Sequence, residues 1–166
     1  MNNFQELTKR AGQIGELLAG RGWHLVTVES CTGGFVAQSL TAVAGSSAWF
    51  ECGFVTYSNH SKQALVGVPV RLIERHGAVS LEVAEAMVQG ALARTGAEAG
   101  LAITGIAGPD GGSAEKPVGT VFIAWQVPGR APGGQRFNFA GDRAAVRHQC
   151  VAAALEGLHE RAAAVA

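Results

Sequence analysis

Two short segments of this sequence carry side chains suited to nucleophilic chemistry, and the first surrounds Ser30. This serine follows an apolar run and precedes the pair Gly33 and Gly34. A hydroxyl at the end of a strand is held in place, and the glycines let the backbone turn sharply so that N–H groups face a ligand. Such a turn also favours a developing oxyanion. The same spacing is equally typical of a plain helix cap followed by a tight turn.

The second segment runs from Tyr57 to Lys62 and reads YSNHSK. A lysine acts as a general base only when it is neutral. At the usual pKa of about 10.4, roughly one lysine in a thousand or fewer is neutral at pH 7. A place in the first turn of a helix and burial against Tyr57 would both lower the pKa. The alternative is an ordinary solvated lysine, which is the commoner case for an isolated one.

Two further segments have compositions that suit ligand binding. Residues 105–119 form a long loop rich in glycine and proline, and loops of this length are either functional or mobile. Arg143 follows Asp142 near the start of a predicted helix, where its guanidinium and the free N–H groups could hold a phosphate. Taken alone, the spacing favours Asp142 as a cap and Arg143 as a surface charge.

Other nucleophile and base pairs remain open at this level. Cys31 also lies at a predicted helix start, which can depress a thiol pKa, but no histidine is close to it in sequence. His60 could pair with Ser30 in a serine–histidine arrangement.

Strands and helices alternate through the first two-thirds of the chain, and a hairpin and a helix follow. The hydrophobic patterns predict strands at 23–28, 48–57, 101–103 and 121–127, and helices at 4–18, 35–43, 80–92 and 142–158. Asn59, Ser80 and Asp142 are the expected N-caps of helices. We therefore predict one three-layer α/β/α domain over residues 1–166, with a mostly parallel sheet and a C-terminal hairpin plus helix. Ligands of such sheets bind beyond the carboxyl ends of the strands, where these four segments are expected.

Composition excludes several classes of partner. Lys plus Arg and Asp plus Glu number 13 each, so no bulk charge favours nucleic acid or an anionic membrane. The three cysteines are widely spaced, with neither a CxxC pair nor histidines at ligand spacing, which predicts no metal site and no disulfide framework. The sequence predicts neither a signal peptide nor a bilayer-spanning stretch, and the cytoplasm is the expected location.

The ordered set of motifs resembles the CinA carboxy-terminal domain family. These motifs are ESCTGG, YSNHSK, GAVS, TGIAGPDGG followed by KPVGTV, and GDR. The resemblance extends over nearly the whole chain. It implies a serine amidase with a lysine base that hydrolyses the carboxamide of nicotinamide mononucleotide, in pyridine nucleotide recycling, with no metal or organic cofactor.

The resemblance also implies roles for individual residues. Ser30 is the expected nucleophile, Lys62 the base, and Tyr57 a participant in the proton network. Arg143 is expected to hold the phosphate. The other expected substrate-binding residues are Cys31, Thr32, Gly33 and Gly34, whose backbone would stabilise the oxyanion, together with Asn59, Thr104 and Gly105.

A second function stays open beside the enzyme. A non-catalytic nucleotide-binding regulatory module would keep the glycine turns and Arg143 but would have no use for Lys62. The expected partner is a small mononucleotide in either case. The sequence leaves the oligomeric state open, a homo-oligomer included.

Overall fold

The computed structural model describes residues 3–165. Helices and strands follow one another in the order α1 Asn3–Arg21, β1 Leu25–Glu29, α2 Phe35–Thr41, β2 Phe50–Val55, α3 Asn59–Val66, α4 Val70–His76, α5 Leu81–Thr95, β3 Ala99–Gly105, β4 Thr120–Gln126, β5 Gly133–Asn138 and α6 Arg143–Ala163. A short 3₁₀ turn at Ser46–Ala48 precedes β2. Among the described residues, no helix has both the length and the apolar character that crossing a membrane requires.

The strands form one sheet in the order β2-β1-β3-β4-β5. Strand β1 runs parallel to both β2 and β3, whereas β4 is antiparallel to β3 and to β5. The predicted α/β domain is confirmed. Its parallel part is formed by the first three strands of the chain, and the C-terminal part of the sheet is antiparallel.

Helices cover both faces of the sheet. Apolar side chains of α1, α2 and α6 form one buried cluster with residues such as Leu25 and Ile103 on one face. Side chains of α3, α4 and α5 form a second cluster on the other face, against residues such as Val28 and Ala102. Each strand of the centre is thus buried on both sides, which accounts for its nearly continuous apolar run.

The register of the parallel strands determines where the functional segments meet. Glu29, the last residue of β1, lies opposite Val55 of β2 and Ile103 of β3. The chain segments that follow these three residues therefore leave the sheet at the same edge. They contain Ser30, Tyr57 to Lys62, and the loop that begins at Gly105.

Two of the predicted helix caps are confirmed. The Ser80 side chain accepts a hydrogen bond from the Val83 N–H at the start of α5, and the Asp142 carboxylate accepts one from the Ala145 N–H at the start of α6. Asn59 was expected to cap α3, but it is the first helical residue. The cap is Ser58, whose side chain accepts from the Ser61 N–H while the Ser61 hydroxyl accepts from the Ser58 N–H.

Helix α6 is anchored on the sheet by a buried tryptophan of β4. The Trp125 Nε1–H donates to the carbonyl of Ala154 at 2.8 Å, and the ring packs against Gly157, where any side chain would collide with it. This contact fixes the distance of α6 from the sheet. It thereby sets the position of the N-terminal turn of α6, which carries Arg143.

Candidate active site

Ser30 is held at the carboxyl edge of the sheet by its own backbone. Its N–H donates to the carbonyl of Ile103 at 3.0 Å, and the residue is 8% exposed. Gly33 and Gly34 then adopt φ angles of 58° and 99°, in the left-handed region that glycine tolerates best. The predicted sharp turn between β1 and α2 is present, and Ser30 lines a cavity there.

The carboxylate of Glu29 shapes this turn, a role that the sequence reasoning did not assign. It is 1% exposed and accepts hydrogen bonds from the N–H groups of Gly34, Val36 and Ala37 at 3.1, 3.0 and 2.9 Å. These groups are donors that an α-helix leaves free at its first turn. Glu29 therefore caps α2 from the strand and ties the residue before Ser30 to the helix after it.

This capping narrows the expected set of oxyanion donors. Gly34 donates to Glu29, and the Gly33 N–H donates to the carbonyl of Ser30 at 3.0 Å. In the described part of the turn, the N–H groups of Cys31 and Thr32 are the ones that donate to no other residue. The N–H groups of Gly33 and Gly34 are therefore already engaged, and a donor role for those of Cys31 and Thr32 stays a prediction.

Lys62 reaches Ser30 from α3, on the neighbouring part of the same edge. Its Nζ lies 3.1 Å from the Ser30 Oγ and donates to the carbonyl of Thr56 at 2.7 Å. The side chain is 1% exposed, and this burial lowers the pKa of the Lys62 amine, an effect that negative charge on Cys31 opposes. The amine therefore loses its proton more readily than an ordinary lysine does.

Tyr57 and Arg143 meet above this pair. Arg143 donates through Nη2 to the Tyr57 hydroxyl and through Nη1 to the carbonyl of Gly108, both at 2.9 Å. Tyr57 is 61% exposed. The observed partner of its hydroxyl is Arg143, and a part for Tyr57 in the proton network stays a prediction.

A cavity of about 270 Å³ joins these groups. Five of the predicted site residues line it: Ser30, Cys31, Tyr57, Gly105 and Arg143. The long loop supplies the remaining lining residues, which are Ile106, Ala107, Gly108, Asp110 and Gly111. The glycine- and proline-rich composition pointed to this loop as a whole, but it gave no signal for these individual positions.

Six other predicted residues lie outside the lining of the cavity, and one of them is Lys62, which contacts Ser30. Asn59 is exposed at the start of α3, and Thr104 is buried with its hydroxyl donating to the carbonyl of Ala78 at 2.8 Å. Thr32, Gly33 and Gly34 build the turn below Ser30. These residues shape the site instead of lining it.

Thr104 and Lys116 attach the long loop to the segment between α4 and α5. The Lys116 Nζ donates to the carbonyls of His76 and Val79 at 3.0 and 2.6 Å, close to the Ala78 carbonyl that Thr104 uses. These bonds fix both ends of the loop. The GAVS motif, residues 77–80, thereby holds in place the loop that forms one wall of the cavity.

The alternative base His60 is exposed on α3, and Lys62 is the residue that reaches Ser30. Cys31 lines the cavity at 6% exposure. The geometry thus favours a serine nucleophile with a lysine beside it. A buried amine with a lowered pKa next to a hydroxyl is an arrangement that can activate that hydroxyl.

Known proteins resemble this chain in sequence and in fold. The profile of the CinA C-terminal domain matches residues 7–162. A protein of Pseudomonas putida named nicotinamide-nucleotide amidohydrolase PncC is 53% identical, over 92% of this chain and 94% of its own length. The protein of that name from Escherichia coli K12 is 49% identical, over 94% of both chains.

A solved structure agrees with these sequence matches. A CinA superfamily protein from Klebsiella pneumoniae superposes with a TM-score of 0.89 at 40% identity, covering 98% of this chain and 99% of its own. Similarity of this extent in both sequence and fold, over nearly the full length, establishes a common family. The chain therefore belongs to the CinA C-terminal domain family.

Proposed function

We propose that this chain is a nicotinamide-nucleotide amidohydrolase, which converts nicotinamide mononucleotide and water to nicotinate mononucleotide and ammonia. The observation that carries the proposal is the 3.1 Å approach of the buried Lys62 Nζ to the Ser30 Oγ at the base of the cavity. The names of the relatives at 53% and 49% identity supply the substrate. We place the reaction in pyridine nucleotide recycling in the cytoplasm.

Proton transfer begins with neutral Lys62. A neutral amine has two N–H donors and one lone pair, and one donor is directed at the Thr56 carbonyl at 2.7 Å. That bond turns the lone pair toward Ser30, which can then give up its hydroxyl proton. The Ser30 oxygen attacks the carboxamide carbon and forms a tetrahedral intermediate.

The N–H groups of Cys31 and Thr32 are our candidates for stabilising the oxyanion. One well-placed donor of this kind contributes about 10²–10³ in rate, because it meets the charge only as it develops. Collapse of the intermediate breaks the carbon–nitrogen bond, and Lys62 passes its proton to the departing nitrogen. Ammonia leaves, and Ser30 holds the acyl group as an ester.

The second half-reaction uses the same groups. Neutral Lys62 takes a proton from a water molecule, whose oxygen attacks the ester carbon. The intermediate collapses, and the proton returns to the Ser30 oxygen. Free enzyme and the carboxylic acid product result.

Arg143 is our candidate for holding the phosphate. Each of its terminal nitrogens carries two N–H groups, and the bonds to Tyr57 and Gly108 occupy one group on each. The remaining donors are free to form a bidentate pair with phosphate oxygens. Asp110, on the same wall, offers acceptors for the ribose hydroxyls.

The alternative is a nucleotide-binding module without turnover. A buried amine without a carboxylate partner lowers the stability of the fold, since burial disfavours the charged form of the amine. A binding module has no use for such an amine, whereas a serine amidase of this kind needs a neutral lysine as its base. Lys62 therefore favours the enzyme.

Ammonia release from nicotinamide mononucleotide is the test. The purified chain is expected to release one ammonia per substrate and to yield nicotinate mononucleotide, identified by chromatography. The Ser30→Ala protein, prepared in parallel and checked for its fold by circular dichroism, is expected to be inactive. A folded wild-type chain that releases no more ammonia than Ser30→Ala would overturn the proposal.

A further inference from the structure

Two free cysteines that the proposed mechanism does not use lie behind the catalytic turn. Cys31 directly follows Ser30, and Cys150 lies on the inner face of α6. Both belong to the same buried cluster, at 6% and 0% exposure. Free thiols in such a core are ordinarily inert. These two differ because they lie beside the active site.

Helix α6 packs directly against the turn that holds Ser30. The Arg147 Nη2 donates to the carbonyl of Thr32 at 2.8 Å, and Gly33 lies close to the same nitrogen. Cys150 is on the turn of α6 that follows Arg147. The Cys150 side chain is therefore presented to the start of α2.

The two thiols are not equivalent. A hydrogen bond from the Cys150 thiol lowers the pKa of Cys31, and the charge of Arg147 acts in the same direction. The bond to Cys31 correspondingly raises the pKa of Cys150 far above its usual range, and burial adds to that rise. Of the two thiols, Cys31 therefore ionises more readily, and a thiolate is the form that reacts with oxidants.

The active-site cavity gives access to one of the two thiols. Cys31 lines the cavity of about 270 Å³, whereas Cys150 is fully covered. A small oxidant can therefore meet Cys31, with Cys150 placed behind it as the second thiol. Bound substrate would occupy the same space and protect the pair.

We propose that Cys31 and Cys150 form an oxidation site for hydroperoxides, whose product is a disulfide that inactivates the enzyme. The Cys31 thiolate attacks one oxygen of hydrogen peroxide, and the O–O bond breaks to give a sulfenic acid and one water after protonation. The Cys150 thiol then attacks this sulfur and releases the second water. The two thiols lose two electrons and two protons, and the peroxide is reduced to two waters.

The disulfide would displace the catalytic turn. Its sulfurs are about 2.05 Å apart, far closer than two thiols in contact, so Cys31 must be drawn toward α6. Ser30 is the adjacent residue, and its Oγ must stay within reach of Lys62. A misplacement of about 1 Å can reduce a rate by about 10², and we expect a loss of that order.

Peroxide treatment of the intact protein tests this inference, which rests on the proposed function for its activity readout. Wild type is treated with hydrogen peroxide and split into two samples, one of which then receives dithiothreitol. Activity is measured in both, and peptides linked by a disulfide are identified by mass spectrometry without reduction. We expect a Cys31–Cys150 linked peptide, an activity loss of about a hundredfold, and recovery with dithiothreitol.

The variant Cys150→Ala should show no linked peptide. Without the second thiol, its Cys31 sulfenic acid should oxidise further under prolonged peroxide treatment, and dithiothreitol should not restore the activity lost in that step. Cys150→Ser, which keeps a hydrogen-bonding group, replaces it if the alanine protein does not fold. Cys52→Ala is the matched control, because burial and the charge of Glu51 raise the pKa of the half-buried Cys52 thiol, and it should behave as wild type.

Two outcomes would overturn the inference. One is the absence of the linked peptide at peroxide concentrations that oxidise Cys52. The other is a linked peptide with unchanged activity. Lack of activity before any treatment would contradict the proposed function instead, and the linked peptide would still report on the thiol pair.

Discussion

The Nζ of Lys62 and the Oγ of Ser30 lie 3.1 Å apart, although 32 positions separate the two residues in sequence. Both side chains are buried, at 1% and 8% exposure. The carbonyl of Thr56 is the second partner of the amine. Because no carboxylate is among these partners, the site stabilises the neutral amine.

The first prediction separates the two candidate nucleophiles. Ser30→Ala should abolish ammonia release while the fold is retained, since the hydroxyl is the group that attacks. Cys31→Ala should keep most of the activity, because the backbone N–H at this position remains. The two variants are compared in steady-state assays with nicotinamide mononucleotide. An inactive Cys31→Ala beside an active Ser30→Ala would make the thiol the nucleophile.

The second prediction concerns pH. Below its pKa, Lys62 is an ammonium group and cannot accept the Ser30 proton, so kcat/KM should fall by about tenfold per pH unit on the acid side. Burial lowers the pKa of Lys62, and this limb should therefore lie well below the range of an ordinary lysine. Cys31→Ala removes a charge that raises this pKa, and it should move the limb to lower pH. If the residual activity of Lys62→Arg had the same acid limb in its kcat/KM profile, the group that titrates would be one other than Lys62.

The third prediction concerns stability. The pKa of Lys62 is lower in the native state than in the unfolded chain. Between these two pKa values the unfolded chain binds more protons, so the free energy of unfolding rises with pH. Lys62→Met should therefore be inactive but more stable near pH 7. We expect a rise in Tm of about 2–4 °C, with a smaller gain at higher pH. Thermal unfolding of both proteins across this pH range is the measurement, and a gain independent of pH would contradict the argument.

The fourth prediction concerns the contribution of Arg143 to binding the substrate phosphate. Losing a hydrogen bond to a charged group costs about 1.5–3 kcal/mol, so Arg143→Ala should reduce kcat/KM for nicotinamide mononucleotide by roughly ten- to a hundredfold. Activity on nicotinamide riboside, which lacks the phosphate, should change little. Equal losses on both substrates would mean that Arg143 acts through its bonds to Tyr57 and Gly108.

The fifth prediction concerns Glu29. Its removal leaves the N–H groups of Gly34, Val36 and Ala37 at the start of α2 without their acceptor. The Val36 group is buried and the other two are partly buried, and a buried donor without a partner costs about 1–3 kcal/mol. Glu29→Ala should lower the free energy of unfolding by at least about 2 kcal/mol and should lower kcat more than it changes KM. Glu29→Gln keeps one oxygen acceptor and should restore part of both. Glu51→Gln, at an exposed position of β2, is the control and should resemble wild type in urea unfolding and in kcat.

Local patterns were sufficient for much of the fold. The caps Ser80 and Asp142, the alternation of strands and helices, and the sharp turn after Ser30 all depend on residues a few positions apart. For the same reason the ordered motifs identified the family. Cap assignment failed at Asn59, where two serines that flank it provide a better reciprocal pair.

Only the tertiary structure decided which of these side chains meet. The capping of α2 by Glu29, the bond from Thr104 to Ala78 and the contact of Arg143 with Tyr57 join residues that α-helical or strand periodicity does not relate. The pairing of Cys31 with Cys150 is of the same kind. Sequence specifies the residue types and the local turns. The burial of Lys62 and its distance from Ser30 arise from the packing of α3 at one edge of the sheet, because residues 32 positions apart meet there.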